Sequence, residues 1–141
     1  AVIAVDNSAE SLAVARSRVR GVVFVRADLR DPLPFADAGF GVVVASLSLH
    51  YFSWADTVVI FDRIRRLLWQ GGMLLCRLNS TNDVNYGAAG HPAIEADYYS
   101  VNGQPKRFFD RPAIAGVFRE HWIVRQCDEQ IVHRYHKPKA V

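Results

Sequence analysis

Cysteine is scarce, with only Cys76 and Cys127 in 141 residues. Each sits in or beside an apolar stretch, so the pair reads as two reduced thiols in a cytoplasmic chain. No apolar run approaches the roughly 18 residues that span a bilayer, so a membrane partner is not expected. The opening residues Ala1 to Asp6 lack the basic region and small-residue cleavage site of a secretory signal. A charge of one sign is missing as well: 17 basic and 14 acidic residues leave +3, with the basic ones scattered. Nucleic acid therefore gains no support as a partner. Gly-x-Ser-x-Gly and phosphate-loop patterns do not occur, which leaves serine hydrolases and phosphate-loop enzymes without a basis. His133 and His136 stand three apart, on opposite faces of a strand, so they make no metal pair. His91 and His121 read as surface or turn residues.

With 50% apolar and 22% charged residues, the chain reads as one globular domain over residues 1–141. Ala1–Val5 is a continuous apolar run of the kind found in strands covered on both faces. A helix follows, with Asn7 and Glu10 as a capping box and Gly21 as its stop. Val22–Val25 and Gly39–Ala45 are further buried strands, separated by Asp31-Pro32-Leu33-Pro34, where two prolines prevent regular structure. Trp54–Trp69 carries an apolar stripe of Ile60, Phe61, Ile64, Leu67 and Leu68, so it predicts a helix, ended by Gly71-Gly72. Met73–Leu78 predicts a fourth strand. Asn79–Lys106, rich in Asn, Gly, Ala and Tyr, reads as a long irregular lid with glycine hinges. Asp110–His121 resumes helix, and Trp122–Cys127 and Gln130–Tyr135 predict two more strands. The fold class is α/β, with a mostly parallel sheet, helices on both faces and an antiparallel element near the C-terminus.

In such sheets ligands gather at the carboxyl ends of the strands. Asp6 ends the first strand, where a carboxylate suits the two hydroxyls of a ribose; it reads equally well as a helix-start acid. Asp28 ends the second, where it can accept from an exocyclic amine or simply initiate the turn Leu29-Arg30-Asp31. Two acids at successive strand ends, with Asn7 beside the first, favour a nucleoside pocket. Ser46 to Tyr51 and Asn79 follow the third and fourth strands.

The ordered set Ala1-Val2-Ile3-Ala4-Val5-Asp6-Asn7-Ser8, Arg26-Ala27-Asp28-Leu29, Pro32-Leu33-Pro34-Phe35-Ala36-Asp37, Phe40-Gly41-Val42-Val43, Leu49-His50-Tyr51 and Arg65-Arg66-Leu67-Leu68-Trp69-Gln70-Gly71-Gly72 resembles the class I S-adenosylmethionine-dependent methyltransferases of small molecules, a Rossmann-like family. The resemblance covers about residues 1–80 in motifs and the remainder by element order. It implies that Asp6 holds the cofactor ribose with Asn7 beside the adenine. Asp28 would accept from the adenine amine while the Leu29 backbone reads the ring edge. Ser46 would lie near the methionine part. His50 and Tyr51 would face the methyl-transfer site, His50 as the catalytic residue. Apart from the resemblance, Asn79 at its strand end and Tyr86, with Tyr98 and Tyr99 in the lid, read as substrate-facing. No Asn-Pro-Pro-Tyr-type segment follows the third strand, which points away from base methylation.

One departure stands out. The family's first strand and glycine-rich loop would precede Ala1, and the only Gly-x-Gly, Gly39-Phe40-Gly41, opens a strand rather than linking strand to helix. Both ends of the chain therefore read as cut. For the 141 residues alone, the expectation is direct pairing of Ala1–Val5 with Phe40–Ala45, or strand exchange in a homodimer, with the dimer preferred. Binding of S-adenosylmethionine would then be weak or absent. The alternative function is a non-catalytic methyltransferase-like module that serves self- or protein association. A Rossmann-type dinucleotide enzyme is a third reading, carried by Asp6 alone.

Overall fold

A computed structural model describes residues 1–134 and 137–141. Tyr135, the end of the last predicted strand, and His136, the second histidine of the excluded metal pair, lie outside them. The chain divides into two compact units, 1–36 and 37–141.

In the first unit, β1 (Val2–Asp6) pairs in parallel with β2 (Val22–Arg26) from Val2↔Val22 to Asp6↔Arg26. The crossover is α1 (Ala9–Arg18), whose Leu12 is buried. The cap of α1 is Ser8, not Asn7: the Ser8 hydroxyl accepts from the Ser11 N–H at 3.1 Å and donates to Glu10 at 2.9 Å. Asn7 is held elsewhere by Asp28, as described below. Gly21 is not the helix stop either, since the helix ends at Arg18 and Gly21 (φ +74°) turns the chain into β2.

In the second unit, β3 (Phe40–Ser46) and β4 (Leu68–Arg77) form a parallel pair joined by α2 (Trp54–Leu67). Ser53 caps α2, accepting from the Asp56 N–H, and Arg65 and Arg66 sit in its last turn, where the dipole favours cations. The apolar stripe behaves as its spacing predicts: Ile60, Phe61, Ile64 and Leu67 are buried and form the core with Leu49, Leu78, Phe108, Phe109 and Val117. Gly71-Gly72 does not end the helix. Leu68 is already extended, and the chain passes straight into β4 through a bulge, with Phe40 opposite Leu68 and Val42 opposite Met73. Gly41 is where this bulge demands the absence of a side chain, because the Trp69 ring fills the space a Cβ would take.

The segment 79–106 is folded rather than irregular. After a 3-10 turn at Val84–Tyr86, it forms an antiparallel meander of β5 (Ala93–Glu95), β6 (Tyr98–Val101) and β7 (Gln104–Arg107). Its β6–β7 turn is Asn102-Gly103, both at positive φ (53° and 77°), the geometry of a tight two-residue hairpin. Gly103 is thus a turn residue rather than a hinge, and Tyr98 is buried rather than free to close over a ligand.

Asp110 caps α3 (Arg111–Val117), accepting from the Ala113 N–H at 2.8 Å, with Pro112 in the first turn. The predicted strand at 122–127 does not form. Trp122 packs edge-on against Phe118 at 5.4 Å, and Ile123 and Val124 are exposed, so this apolar run finds no ladder partner among the described residues. The late antiparallel pair is instead β8 (Ile131–Arg134) with β9 (Lys137–Ala140).

Among the described residues, β1 pairs with β2 within the first unit and β3 with β4 within the second. In each of the two parallel pairs, a helix crosses over between the two strands. The architecture is α/β, with parallel pairs crossed by helices and antiparallel pairs added after β4. Among the described residues no helix is long and apolar enough to cross a membrane, and no cluster of His, Cys, Asp or Glu could hold a metal ion.

Candidate functional site

The parallel register of the first unit sets Asp6 opposite Arg26, and the residues that follow both strands meet at one edge. Asp6 is exposed, with one carboxylate oxygen accepting from the Ser8 N–H at 2.7 Å. This turn starts α1 and aims the acid outward from the strand end. The Asn7 amide donates to Asp28 at 3.4 Å, and its carbonyl accepts from Arg26 at 3.0 Å. Asp6, Asn7, Asp28 and Leu29 therefore share the carboxyl edge of β1–β2, Leu29 being half-buried beside Asp28.

Asp28 is not an idle acceptor. Arg30 donates to it from its backbone N–H at 2.9 Å and from its guanidinium at 3.0 and 2.6 Å, so that both carboxylate oxygens are engaged. The Arg30 side-chain hydrogen bonds, backed by its N–H, lower the Asp28 pKa from 3.8 to about 2. A carboxyl group depressed on folding stabilises the fold above its unfolded value, and that contribution fades as pH falls toward 2. Arg30→Ala should return the titration of Asp28 toward 3.8, read from its carboxyl carbon shift by NMR. An unchanged midpoint would mean that the surroundings of Asp28, not Arg30, set its acidity.

The second unit holds a cavity of about 400 Å³, lined by Ser46, Leu47, His50, Tyr51, Asn79, Tyr86, Lys106 and Lys139. All five residues singled out in this unit, Ser46, His50, Tyr51, Asn79 and Tyr86, line it together. Ser46 ends β3, and Leu47 takes a left-handed φ of 54° with its N–H on the Arg77 carbonyl at 2.9 Å. That conformation is unfavourable for a branched side chain and turns the chain sharply out of the sheet into the cavity wall. His50 is buried, its ring 4.0 Å from that of Tyr51, whereas Tyr51 is exposed.

Three successive carbonyls of this wall are bonded to the meander. His50 accepts from the Arg107 N–H at 2.7 Å, Tyr51 from the Tyr98 hydroxyl at 3.0 Å, and Phe52 from the Arg107 guanidinium at 3.0 Å. Arg107 also donates to Ala96 at 3.2 Å and to Glu95, and lies over the rings of Tyr98 and Trp54. Glu95 in turn accepts from the Trp54 N–H at the start of α2 at 3.0 Å. The segment read as a lid is the brace of the loop after β3.

Opposite, Lys139 is buried and donates to Asn79 at 2.8 Å and to Asp83 at 2.6 Å, with its ammonium 4.9 Å from the Tyr86 ring. Asp83 accepts additionally from the Ala140 N–H at 3.3 Å, which ties β9 to the wall. Lys106, Lys139 and the braces Asp83 and Arg107 were not legible as site residues. The Asn102-Gly103 dipeptide between Tyr98–Val101 and Gln104–Arg107 was the signal for the hairpin that delivers Lys106 and Arg107. Nothing local marks Lys139, which reaches Asn79 across 60 positions.

The family model described as "Methyltransferase domain" matches residues 1–76. No curated protein matches the chain. Among solved structures, it is similar to an S-adenosylmethionine-dependent methyltransferase of Methanosarcina mazei (14% identity, TM-score 0.78, covering 99% of this chain and 77% of that one). A protein of Pyrococcus horikoshii OT3 gives 18% identity and a TM-score of 0.69, over 99% of this chain and 68% of that one. An S-adenosylmethionine-dependent methyltransferase from Mesorhizobium loti gives 23% identity and 0.66, over 82% and 60% respectively. The chain thus spans less than two-thirds of the last of these. At such identities the likeness is one of fold.

Proposed function

Since the chain belongs to the methyltransferase-domain family, whose model matches residues 1–76, we propose that it serves S-adenosylmethionine-dependent methyl transfer to a small-molecule acceptor. The observation that carries this reading is the cavity at the end of β3, where Ser46, His50, Tyr51, Asn79 and Tyr86 converge. The cofactor, when bound, supplies a methyl group on a sulfonium that leaves readily, so alignment of the acceptor accounts for most of the rate.

The residues present fit the nucleoside end of that cofactor: Asp6 is exposed with one oxygen committed to Ser8, leaving capacity for ribose hydroxyls. Asn7 and Leu29 would hold the adenine, and Asp28 would accept from its amine once Arg30 yields an oxygen. By the family resemblance, Ser46 would hold the methionine end. The His50 imidazole takes the proton of the acceptor nucleophile, and Tyr51, Asn79 and Tyr86 orient it. Cys76 and Cys127 are both free thiols, in keeping with a cytoplasmic protein, and burial pushes Cys76 up to about 11, so it stays protonated at neutral pH.

Calorimetric titration of the 141-residue chain with S-adenosylhomocysteine tests this. Binding should be weak, because Arg30 competes for Asp28, and Asp6→Ala should weaken it by about 1.5–3 kcal/mol, the scale of hydrogen bonds to a charged group. Equal affinity of the variant would remove Asp6 from the site.

A second reading is a non-catalytic module kept for association. Val42, Val44, Met73 and Leu75 are exposed, and the register sets Val42 beside Met73 and Val44 beside Leu75 on one face of β3–β4. Such a face suits a homodimer. Absence of binding heat together with a dimer in sedimentation would favour this reading over methyl transfer.

A further inference from the structure

Five asparagines stand in the chain, and four of their side-chain amides are tied down. Asn7 donates to Asp28 at 3.4 Å, Asn79 to the Arg107 carbonyl at 3.5 Å, Asn82 to Glu129 at 3.0 Å, and Asn85 to the Pro138 carbonyl at 3.0 Å. Asn102 differs: it is exposed, and its amide makes no hydrogen bond among the described residues. It is also the one asparagine followed by glycine, and nothing lies within 4 Å of the place a Cβ would take on Gly103. The two residues, at φ 53° and 77°, form the whole turn between Val101 and Gln104. In a two-residue turn the ladder bonds run between the flanking residues, so the Gly103 N–H serves no strand partner.

We propose that Asn102 is a site of spontaneous covalent modification, at which the folded chain loses the side-chain amide and converts in part to a β-linked aspartate. The unrestrained side chain turns onto the following N–H, which no Cβ shields. The Gly103 amide nitrogen, having lost its proton to solvent, bonds to Asn102 Cγ; the Cγ–Nδ2 bond breaks and ammonia leaves with a proton from water. Water then opens the five-membered imide at one of its two carbonyls, giving either Asp or a residue whose side-chain carbon carries the main chain. The two products differ in consequence. Asp-Gly suits the same turn as Asn-Gly. The β-linked residue adds a main-chain atom, and the register of a hairpin depends on its turn type and loop length. Only four pairs make up the β6–β7 ladder, from Val101↔Gln104 at the turn to Tyr98↔Arg107. The bond from the Arg107 N–H to His50 at 2.7 Å depends on that register, as does the place of Lys106 in the cavity wall. The β-linkage at 102 therefore loosens the loop after β3 from a turn far away in sequence.

Ageing of the folded 141-residue chain at mildly alkaline pH, followed by peptide mass spectrometry with fragmentation that separates Asp from its β-linked isomer, provides the test. Position 102 should convert at least about fivefold faster than 7, 79, 82 or 85, each of which must first break a hydrogen bond. The rate should rise with pH, because the attacking nitrogen has to lose a proton. The β-linked form, separated by chromatography, should lose hydrogen-exchange protection at the Arg107 amide. Freshly prepared Asn102→Asp should retain that protection, since Asp-Gly keeps the turn, and Asn102→Gly should retain it throughout ageing. Conversion at 102 no faster than at the other four positions, or conversion only after unfolding in urea, would overturn the proposal. So would full protection of the Arg107 amide in the β-linked form, or an equal loss of protection in aged Asn102→Gly.

Discussion

Asp83→Ala should lower the unfolding free energy of the 37–141 unit by about 3–5 kcal/mol, the cost of removing one partner from a buried ion pair. The side chains of Asp83 and Lys139 are 0% and 6% exposed. Without Asp83 the ammonium keeps Asn79 and the Tyr86 ring but loses its counter-charge, and the Ala140 N–H loses its acceptor. The total stability of such a fold is typically about 5–15 kcal/mol, so the variant should be close to unfolding. Replacing both partners by apolar residues, Asp83→Leu with Lys139→Met, should recover much of the loss, because neither charge then needs a partner. Urea denaturation of the single and paired variants reads this directly. A paired variant as unstable as the single one would mean that packing around Asp83, not its charge, holds β9 in place.

Arg107→Ala should cost about 2–4 kcal/mol, the scale of several lost hydrogen bonds from a charged group. The guanidinium is 4% exposed and serves Phe52, Ala96 and Glu95 together, while two aromatic rings cover it. Its removal leaves the Phe52 carbonyl unpaired and frees Glu95, which also caps the start of α2. The bond from the Arg107 N–H to His50 belongs to the main chain and survives the substitution, so the loop should loosen at Phe52 first. Arg107→Lys should not restore stability, since a single ammonium cannot serve three acceptors in the plane of a fork. Chemical denaturation gives the energy, and hydrogen exchange at residues 53 and 54 gives the location. Full rescue by lysine would reduce Arg107 to a point charge.

Elements with strong periodicity or a continuous apolar run could be read from the chain: the α2 stripe from Ile60 to Leu67, the strands β1, β2 and β3, and the Asp110 cap with Pro112. The burial expected of those strands did not follow, since Val2, Val23, Val42 and Val44 are exposed. The errors arise where tertiary contacts override local signals. Gly71-Gly72 looks like a helix stop, yet Trp69 packs on Gly41 and draws the chain into a bulged strand instead. Residues 122–127 have the composition of a strand but no neighbour to pair with among the described residues. In the site, residues that directly follow strands were accessible to reasoning, because topology places them: Asp6, Asp28, Ser46 and Asn79 all lie at strand ends. Arg30 was not, since its grip on Asp28 depends on a side-chain conformation rather than on a pattern. Lys139 and Asp83 were hidden for another reason. Their pairing spans 56 positions and is decided only when β9 docks.

The two-residue turn at Asn102-Gly103 also sets a sequence of events in time. A hairpin closed so locally forms in about 1–10 μs, because few backbone torsions are fixed before its first ladder bonds are made. The parallel pair β3–β4 must wait for α2 to cross over, and β9 must close a loop of more than fifty residues onto Asp83, a slower search with a larger entropy loss. The braces at Tyr98 and Arg107 thus exist before the loop they hold. In refolding, burial of Tyr98 should precede protection of the Ala140 amide, and the cavity should be the last part of its unit to mature.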